Sequence, residues 1–339
     1  MNAERLVGVF RGWLLRRISI LLITIFTAIS INFFLLRIMP GNPIDILIQS
    51  YIEQGYGYEE AAIMVQRVVN FIPTKPLWEQ YIDFLTNVFQ GNLGKSMTVA
   101  TGISVGRIIA GALPWTVFLL SISVVLSFAI GVLLGMYMAY NRNSLLDRFL
   151  SLFASITSAI PQFVLGLVLV LFLAYRLNIF PTRAPYSIPP SFSLEFVGDL
   201  LYHAALPVMT YVITTMGGWM LTMKSNTISV LGEYYVLAAE ARGLPKRRIT
   251  ITYVGRNAIL PLFTRFAITF GYMFGGSVFI ERIFAYPGIG KYISLGLPLR
   301  DYTLLSGLFL ITTITVVFSN FIADLLYGVL DPRVRVGGR

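Results

Sequence analysis

Residues 233–248 read Glu-Tyr-Tyr-Val-Leu-Ala-Ala-Glu-Ala-Arg-Gly-Leu-Pro-Lys-Arg-Arg, a strongly polar stretch between two hydrophobic runs. Residues 233–242 contain no helix breaker, and Gly243 follows where a helix C-terminus favours a residue able to take positive φ. Pro245 suits the first turn of a second, basic helix over residues 246–248. The pattern predicts a helix–glycine–helix elbow (residues 233–248), rich in small alanines, that lies outside the membrane and is held by another molecule.

The composition around this elbow indicates a membrane protein. The chain of 339 residues is 56% hydrophobic and 12% charged, whereas soluble domains carry about 25% charged residues. The formal net charge of +10 does not favour nucleic acid, because the basic residues sit beside apolar runs. The sequence has no cysteine and one histidine, His203, which excludes disulfides and argues against a histidine-based metal or catalytic centre.

Six runs with at most one charged residue are long enough to span a bilayer, since a helix rises about 1.5 Å per residue. They are residues 18–36, 108–141, 149–175, 200–223, 257–280 and 302–323. Arg16 and Arg17 precede the first run, and a basic loop precedes the fifth. By the positive-inside rule both termini are expected in the cytoplasm.

The sequence therefore predicts an all-α integral membrane protein with six transmembrane helices. Residues 1–37 form the cytoplasmic N-terminus and helix 1, residues 38–109 a large extracytoplasmic region, and residues 110–339 a core of helices 2–6 with a cytoplasmic loop at 224–257. Within the extracytoplasmic region, residues 76–90 have the pattern of an amphipathic helix that Gly91 ends. Its predicted apolar face consists of Leu77, Tyr81, Phe84, Leu85 and Val88.

Signals for enzymatic chemistry are incomplete. Residues 91–96, Gly-Asn-Leu-Gly-Lys-Ser, resemble a phosphate-binding loop, but Phe89 stands where that motif requires its first glycine. Arg265, Asp324 and His203 lie at different predicted depths, so they form no catalytic constellation. Arg265 is expected to reach the interface or to pair across helices. We therefore expect no catalytic, cofactor or metal site in this chain.

Uncharged polar residues in spans three to five are candidates for lining a translocation path. For any single one of these residues, packing between helices is a sufficient explanation. Pro161 is expected to kink the third span and to free backbone groups there. The candidate path residues are Gln162, Thr210, Thr214, Tyr272 and Ser277.

The elbow resembles the EAA loop of permeases in binding-protein-dependent ABC importers. The resemblance rests on Ala238-Ala239-x3-Gly243 and on the closing Ile259-Leu260-Pro261. Leu237 stands where that motif usually has a glutamate, and the distance from Gly243 to Pro261 is similar to that of the dipeptide/oligopeptide/nickel branch. Further segments resemble the B-type subunit of that branch: residues 40–43 and 76–96, Glu281, residues 284–290, Arg300-Asp301-Tyr302 and Leu330-Asp331-Pro332-Arg333.

This resemblance implies a type I ABC importer permease fold in the cell membrane, with the EAA loop as a coupling helix in a groove of a separate ATPase subunit. ATP and magnesium would be bound by the ATPases. The implied partners are a second homologous permease subunit (a heterodimer), two ABC ATPase subunits, an extracytoplasmic substrate-binding protein and membrane lipid. The implied coupling residues are Tyr234, Leu237, Ala238, Ala239, Ala241, Arg242, Gly243, Lys246 and Arg247.

Peptides are the substrate class that the resemblance favours, and oligosaccharides and nickel remain open as alternatives within the branch. One histidine and no cysteine weaken direct nickel ligation by this chain. An ion channel or an intramembrane enzyme is the competing class. A channel would work without ATPase partners, and an enzyme would need ionisable groups clustered at one depth.

Overall fold

A computed structural model of the protein describes residues 3–38, 43–68, 76–182, 185–272 and 278–330. These residues are mostly helical, with two π-helical segments, π1 and π2. In chain order the elements are α1 (Ala3–Ile38), α2 (Pro43–Glu53), α3 (Tyr58–Val68), α4 (Leu77–Phe89), α5 (Val105–Tyr140), α6 (Leu145–Ala159), α7 (Gln162–Leu169), π1 (Val170–Arg176), α8 (Leu194–Leu231), α9 (Tyr234–Ala241), α10 (Lys246–Arg248), π2 (Ile249–Gly255), α11 (Arg256–Tyr272), α12 (Val278–Ile283), α13 (Ile289–Gly296) and α14 (Tyr302–Leu330).

Four of the described helices are long and apolar enough to cross a membrane: Leu15–Leu36 within α1, α5, α8 and Tyr302–Ile322 within α14. A fifth candidate is α6 together with α7 and π1. The predicted span at residues 257–280 is described only in part, as α11 and the start of α12, because residues 273–277 lie outside the described part. The all-helical membrane architecture is confirmed, whereas six spans and the cytoplasmic termini stay predictions.

The kink predicted at Pro161 is a complete break. Ile160 takes an extended backbone conformation, α7 starts at Gln162, and the two helical arms meet at 100°. Proline lacks an N–H and disfavours helical geometry in the residue before it, which explains why α6 ends at Ala159. The first turn of α7 is formed by hydrogen bonds from the amides of Val164 and Leu165 to the Pro161 carbonyl.

The chain forms two compact units. The first comprises Met1–Val117, Phe274–Arg282 and Pro287–Arg339, and the second comprises Phe118–Met273 and Ile283–Tyr286. Helix α5 begins in the first unit and continues into the second. In the first unit α1 packs along α14, and the Asn32 side-chain amide of α1 donates to the Ser306 carbonyl of α14 at 2.9 Å.

Asp301 joins two segments of the first unit that are far apart in the sequence, residues 96–99 and the start of α14. One carboxylate oxygen, Oδ2, accepts the Ser96 hydroxyl at 2.5 Å and the backbone amides of residues 97, 98 and 99 at 2.9–3.1 Å. The other, Oδ1, accepts the Leu304 amide and caps the start of α14. The side chain is completely buried. Residues 96–99, at the end of and just after the segment that resembles a phosphate-binding loop, therefore bind a carboxylate of the same chain.

Glu281 has a similar role at the start of α13. Its carboxylate accepts the Thr116 hydroxyl at 2.9 Å and the amides of Gly290 and Lys291. Thr116 in turn accepts the Ile289 amide, so the first three amides of α13 are satisfied by two side chains. A Cβ at Gly288 would collide with Glu281 and Thr116, which explains the glycine in this position.

Helix α4 confirms the amphipathic helix predicted over residues 76–90. Its Tyr81 hydroxyl forms a 2.6 Å hydrogen bond with the Ser30 hydroxyl of α1. The Tyr81 and Phe84 rings pack against Phe33, and Tyr81 also stacks on Phe34. The predicted apolar face is thus used, in part, for packing against α1.

Small residues bring the helices of the second unit close together. A Cβ at Gly131 or Gly135 of α5 would meet the backbone of α8 around Met216 and Met220, and a Cβ at Gly217 of α8 would meet the Ala154 carbonyl of α6. Glycines at a four-residue spacing permit such close backbone approach. Helix α8 is consequently the centre of this unit.

We expect the Asp301→Asn variant to lose about 3 kcal/mol of folding stability. The amide would place N–H donors against the amides of residues 97–99, and buried charged hydrogen bonds contribute about 1.5–3 kcal/mol each. The unfolding midpoint of the detergent-solubilised protein should fall by roughly 5 °C. Glu53→Gln, which changes an exposed carboxylate, is the matched control. Equal midpoints for the two variants would contradict this role of Asp301.

Candidate coupling site

The turn of the elbow forms because Gly243 adopts a conformation that other residues avoid. Gly243 has a φ of +70°. Its amide donates to the Glu240 carbonyl at 2.9 Å, and the Leu244 amide donates to the Ala239 carbonyl at 3.3 Å. These two bonds form a Schellman motif, which satisfies carbonyls at the end of α9. Pro245 then directs the chain into α10 from an extended N-cap position, so the predicted helix–glycine–helix elbow is confirmed.

The inner face of the elbow is packed. Val236 and Ala239 of α9 are buried against Ile249 and Val254 of π2, with Leu244 completing the cluster. Ala239 is only 3% exposed. The small size of Ala239 therefore serves contact within the chain, which differs from the expectation, drawn from the resemblance, that Ala239 contacts the ATPase.

The outer face of α9 is open and apolar. Tyr234 is 88% exposed and Leu237 is 51% exposed, and Ala238 and Ala241 are exposed beside them. These positions are separated by three, four and seven residues, which places them on one side of the helix. The exposed basic residues Arg242, Lys246 and Arg247 continue this surface beyond the turn.

The helices before and after the elbow, α8 and α11, contact each other directly. The Asn226 side chain of α8 donates to the Ala258 carbonyl of α11 at 3.1 Å. Further along both helices, the Arg265 guanidinium lies 5.1 Å from the ring centroid of Trp219. Of the two alternatives for Arg265, the structure therefore shows a contact across helices. These contacts hold the helices on either side of the elbow together.

A buried ion pair between α6 and α8 is a feature that the sequence analysis does not predict. The Lys224 ammonium of α8 contacts the Asp147 carboxylate of α6 at 2.5 Å and the Ser151 hydroxyl at 3.0 Å. Both charged side chains are largely shielded from solvent. Because an isolated buried charge is costly, this pair fixes α6 against the last turns of α8. The sequence does contain a signal for this pair, because Asp147 lies just before the third predicted span and Lys224 just after the fourth.

The structure describes the five candidate path residues to different extents. Thr210 and Thr214 are buried in α8, and each hydroxyl donates to a carbonyl of its own helix. The Thr210 methyl also faces Gly166 of α7, as expected for helix packing. Gln162 is half-buried at the break after Pro161. Tyr272 ends α11, and Ser277 lies outside the described residues, so the path through these five residues stays a prediction.

The elbow belongs to the part of the chain that matches a known family. Residues 131–336 match the model of the binding-protein-dependent transport system inner membrane component, and the chain belongs to this family. The protein is accordingly a membrane component of a transport system, as its apolar helices indicate.

Curated relatives are similar to the chain over nearly its whole length. It is 31% identical over 324 residues to the oligopeptide transport system permease protein AppB of Bacillus subtilis (strain 168), covering 95% of this chain and 99% of the relative. It is 28% identical over 335 residues to the dipeptide transport system permease protein DppB of Lactococcus lactis subsp. cremoris (strain MG1363), covering 96% and 99%. For the DppB protein of Escherichia coli (strain K12), the values are 27% over 342 residues, 95% and 98%.

We expect Gly243→Ala to loosen the elbow. An alanine at φ +70° costs about 1 kcal/mol relative to glycine, so trypsin should cleave after Arg242 and Lys246 several times faster than in the parent protein. The control is Gly232→Ala at the other end of α9, where φ is −80° and a Cβ would make only an ordinary contact at 3.5 Å. Equal cleavage rates in the two variants would contradict the role assigned to Gly243.

Proposed function

We propose that the chain is a permease subunit of an ATP-driven peptide importer and that its elbow is the coupling helix. The observation that carries this proposal is the two-sided packing of α9. Its inner face is buried on π2 and its outer face presents Tyr234, Leu237, Ala238 and Ala241. An exposed aromatic and aliphatic stripe on a firmly mounted helix has the properties of a docking surface.

The proposed partner at this surface is an ABC ATPase subunit. Exposed alanines allow a partner's backbone to approach closely, while Tyr234 and Leu237 supply apolar anchors. Arg242, Lys246 and Arg247 would pair with acidic groups at the rim of the same interface. Ala239 is not part of the proposed contact, because it lies on the inner face of α9 and packs against π2. Gly243 contributes the shape of the turn.

The connections of the elbow support a lever mechanism. Movement of a docked ATPase would push α9, and the shared core of Val236, Ala239, Ile249 and Val254 would carry π2 along. The Asn226 contact couples the displacement to α11, and the Lys224 to Asp147 ion pair couples it to α6. The helices of the second unit would then shift together between outward and inward openings.

The energy for this movement would come from the partner subunits, which bind ATP and magnesium. The full assembly we propose has this chain paired with a second homologous permease, two ABC ATPase subunits and an extracytoplasmic substrate-binding protein. This chain would provide half of the translocation path, with its six spans and both termini in the cytoplasm. The elbow, as the docking surface, would then also lie in the cytoplasm.

The double variant Tyr234→Ala, Leu237→Ala should separate from its ATPase. Loss of two exposed anchors costs about 2 kcal/mol or more at an interface. We therefore expect the variant to retain about a tenth or less of the ATPase that co-purifies with the parent protein. ATP hydrolysis stimulated by the loaded binding protein should fall in parallel, while the unfolding midpoint stays unchanged.

The matched control is Tyr58→Ala, Leu177→Ala, which removes the same side-chain types from exposed positions far from the elbow in the sequence. This control should retain parental amounts of ATPase. Normal ATPase binding by the elbow variant would contradict the proposed docking surface. Loss of binding together with a lowered midpoint would show that the outer face supports the fold, which also contradicts it.

The substrate class follows from the relatives, whose names describe oligopeptide and dipeptide transport. We expect the binding protein encoded beside this chain to be purified with peptide bound, identifiable by mass spectrometry. Loading it with peptide should stimulate the ATPase activity of the reconstituted transporter. A bound oligosaccharide or nickel ion, with no stimulation by peptide, would overturn the peptide assignment and leave the coupling mechanism intact.

A further inference from the structure

Helix α4 has three faces rather than two. At 100° per residue, Leu77, Tyr81, Phe84 and Val88 share one side, which contacts α1 through the Tyr81 and Phe84 rings. Glu79, Asp83, Asn87 and Gln90 share a polar side. Between them runs a second apolar stripe, the outer stripe, consisting of Trp78, Ile82, Leu85 and Phe89.

Among the described residues, three members of the outer stripe are largely exposed, and the fourth, Leu85, is half-buried. Trp78 is 63% exposed, Ile82 is 52% exposed and Phe89 is 77% exposed. Three large apolar side chains at a spacing of four and seven residues form a continuous surface, not scattered single exposures. Water is a poor solvent for such a surface, so another apolar phase is expected to cover it.

The contacts with α1 fix the depth of α4. The apolar span of α1 runs to Leu36. Ser30, which hydrogen-bonds to Tyr81, precedes Leu36 by six residues, or about 9 Å along the helix axis. Phe33 and Phe34, which contact the Tyr81 ring, lie in the last turn before Leu36. Helix α4 is therefore held beside the final two turns of the candidate membrane span in α1.

We propose that α4 is an interfacial membrane helix whose outer stripe is embedded in lipid hydrocarbon. Amphipathic helices of this kind bury their apolar face about 5–10 Å into the boundary between headgroups and acyl chains, which agrees with the depth set by Ser30. The polar side, with Glu79 and Asp83, faces the headgroups and water. Trp78 occupies the boundary position that tryptophan prefers.

The absence of cysteine from the sequence permits a direct test by spin labelling. Single cysteines are placed on the outer stripe (Trp78→Cys, Ile82→Cys, Phe89→Cys) and on the polar side (Asp83→Cys, Asn87→Cys). The labelled full-length chain is reconstituted into vesicles of phosphatidylethanolamine and phosphatidylglycerol. Oxygen, which concentrates in lipid, and a water-soluble nickel chelate are then compared as relaxation agents.

Labels on the outer stripe should be several-fold more accessible to oxygen than to the chelate, and labels at Asp83 and Asn87 should show the reverse. Greater access of the chelate to the stripe would overturn the proposal. Low access of both agents to the stripe would also overturn it, since this result indicates a protein partner such as another subunit.

A second measurement needs no label. Lipids brominated in the upper half of the acyl chain quench nearby tryptophan, and Trp78 is one of four tryptophans in the chain. The Trp78→Phe variant keeps an apolar side chain at the exposed position and should show a clear loss of the quenchable signal. Unchanged quenching in this variant would contradict the embedding of α4.

Discussion

A backbone amide that is buried without a hydrogen-bond partner is costly, because an apolar interior offers no acceptor in place of water. Two buried carboxylates meet this constraint in the first unit. Asp301 serves the amides of residues 97–99 and the start of α14, and Glu281 serves the start of α13. In each case one side chain joins a helix terminus to a segment far away in sequence, so helix capping and tertiary structure depend on the same interaction.

Local signals allowed much of the fold to be predicted. Gly243 and Pro245 specified the elbow, Pro161 specified the break in the third span, and the periodicity of residues 76–90 specified α4. Each of these features is decided by residues within one or two helical turns. The resemblance of the C-terminal segments to a permease family was likewise readable, although the physical reason for Glu281 and Asp301 was not.

Other features depend on partners that no local pattern reveals. Ser96 and Asp301 are 205 residues apart, Thr116 and Glu281 are 165 apart, and Asp147 and Lys224 are 77 apart. The orientation of Ala239 was missed for a different reason. Helix α9 has eight residues, too few for a periodic pattern to separate an inner from an outer face, and π2 has no standard sequence signature.

The two faces of α9 are also subject to different evolutionary constraints, folding for the inner face and binding for the outer face. Substitutions at Val236 or Ala239 disturb the core that builds the elbow, whereas substitutions at Tyr234 or Leu237 leave that core untouched. In the proposed docking, the outer residues are free to diverge together with the partner without a loss of folding stability. As a docking surface, an elbow of this construction would change its binding preferences during evolution while its architecture stays constant, which would allow related transporters to recognise different subunits.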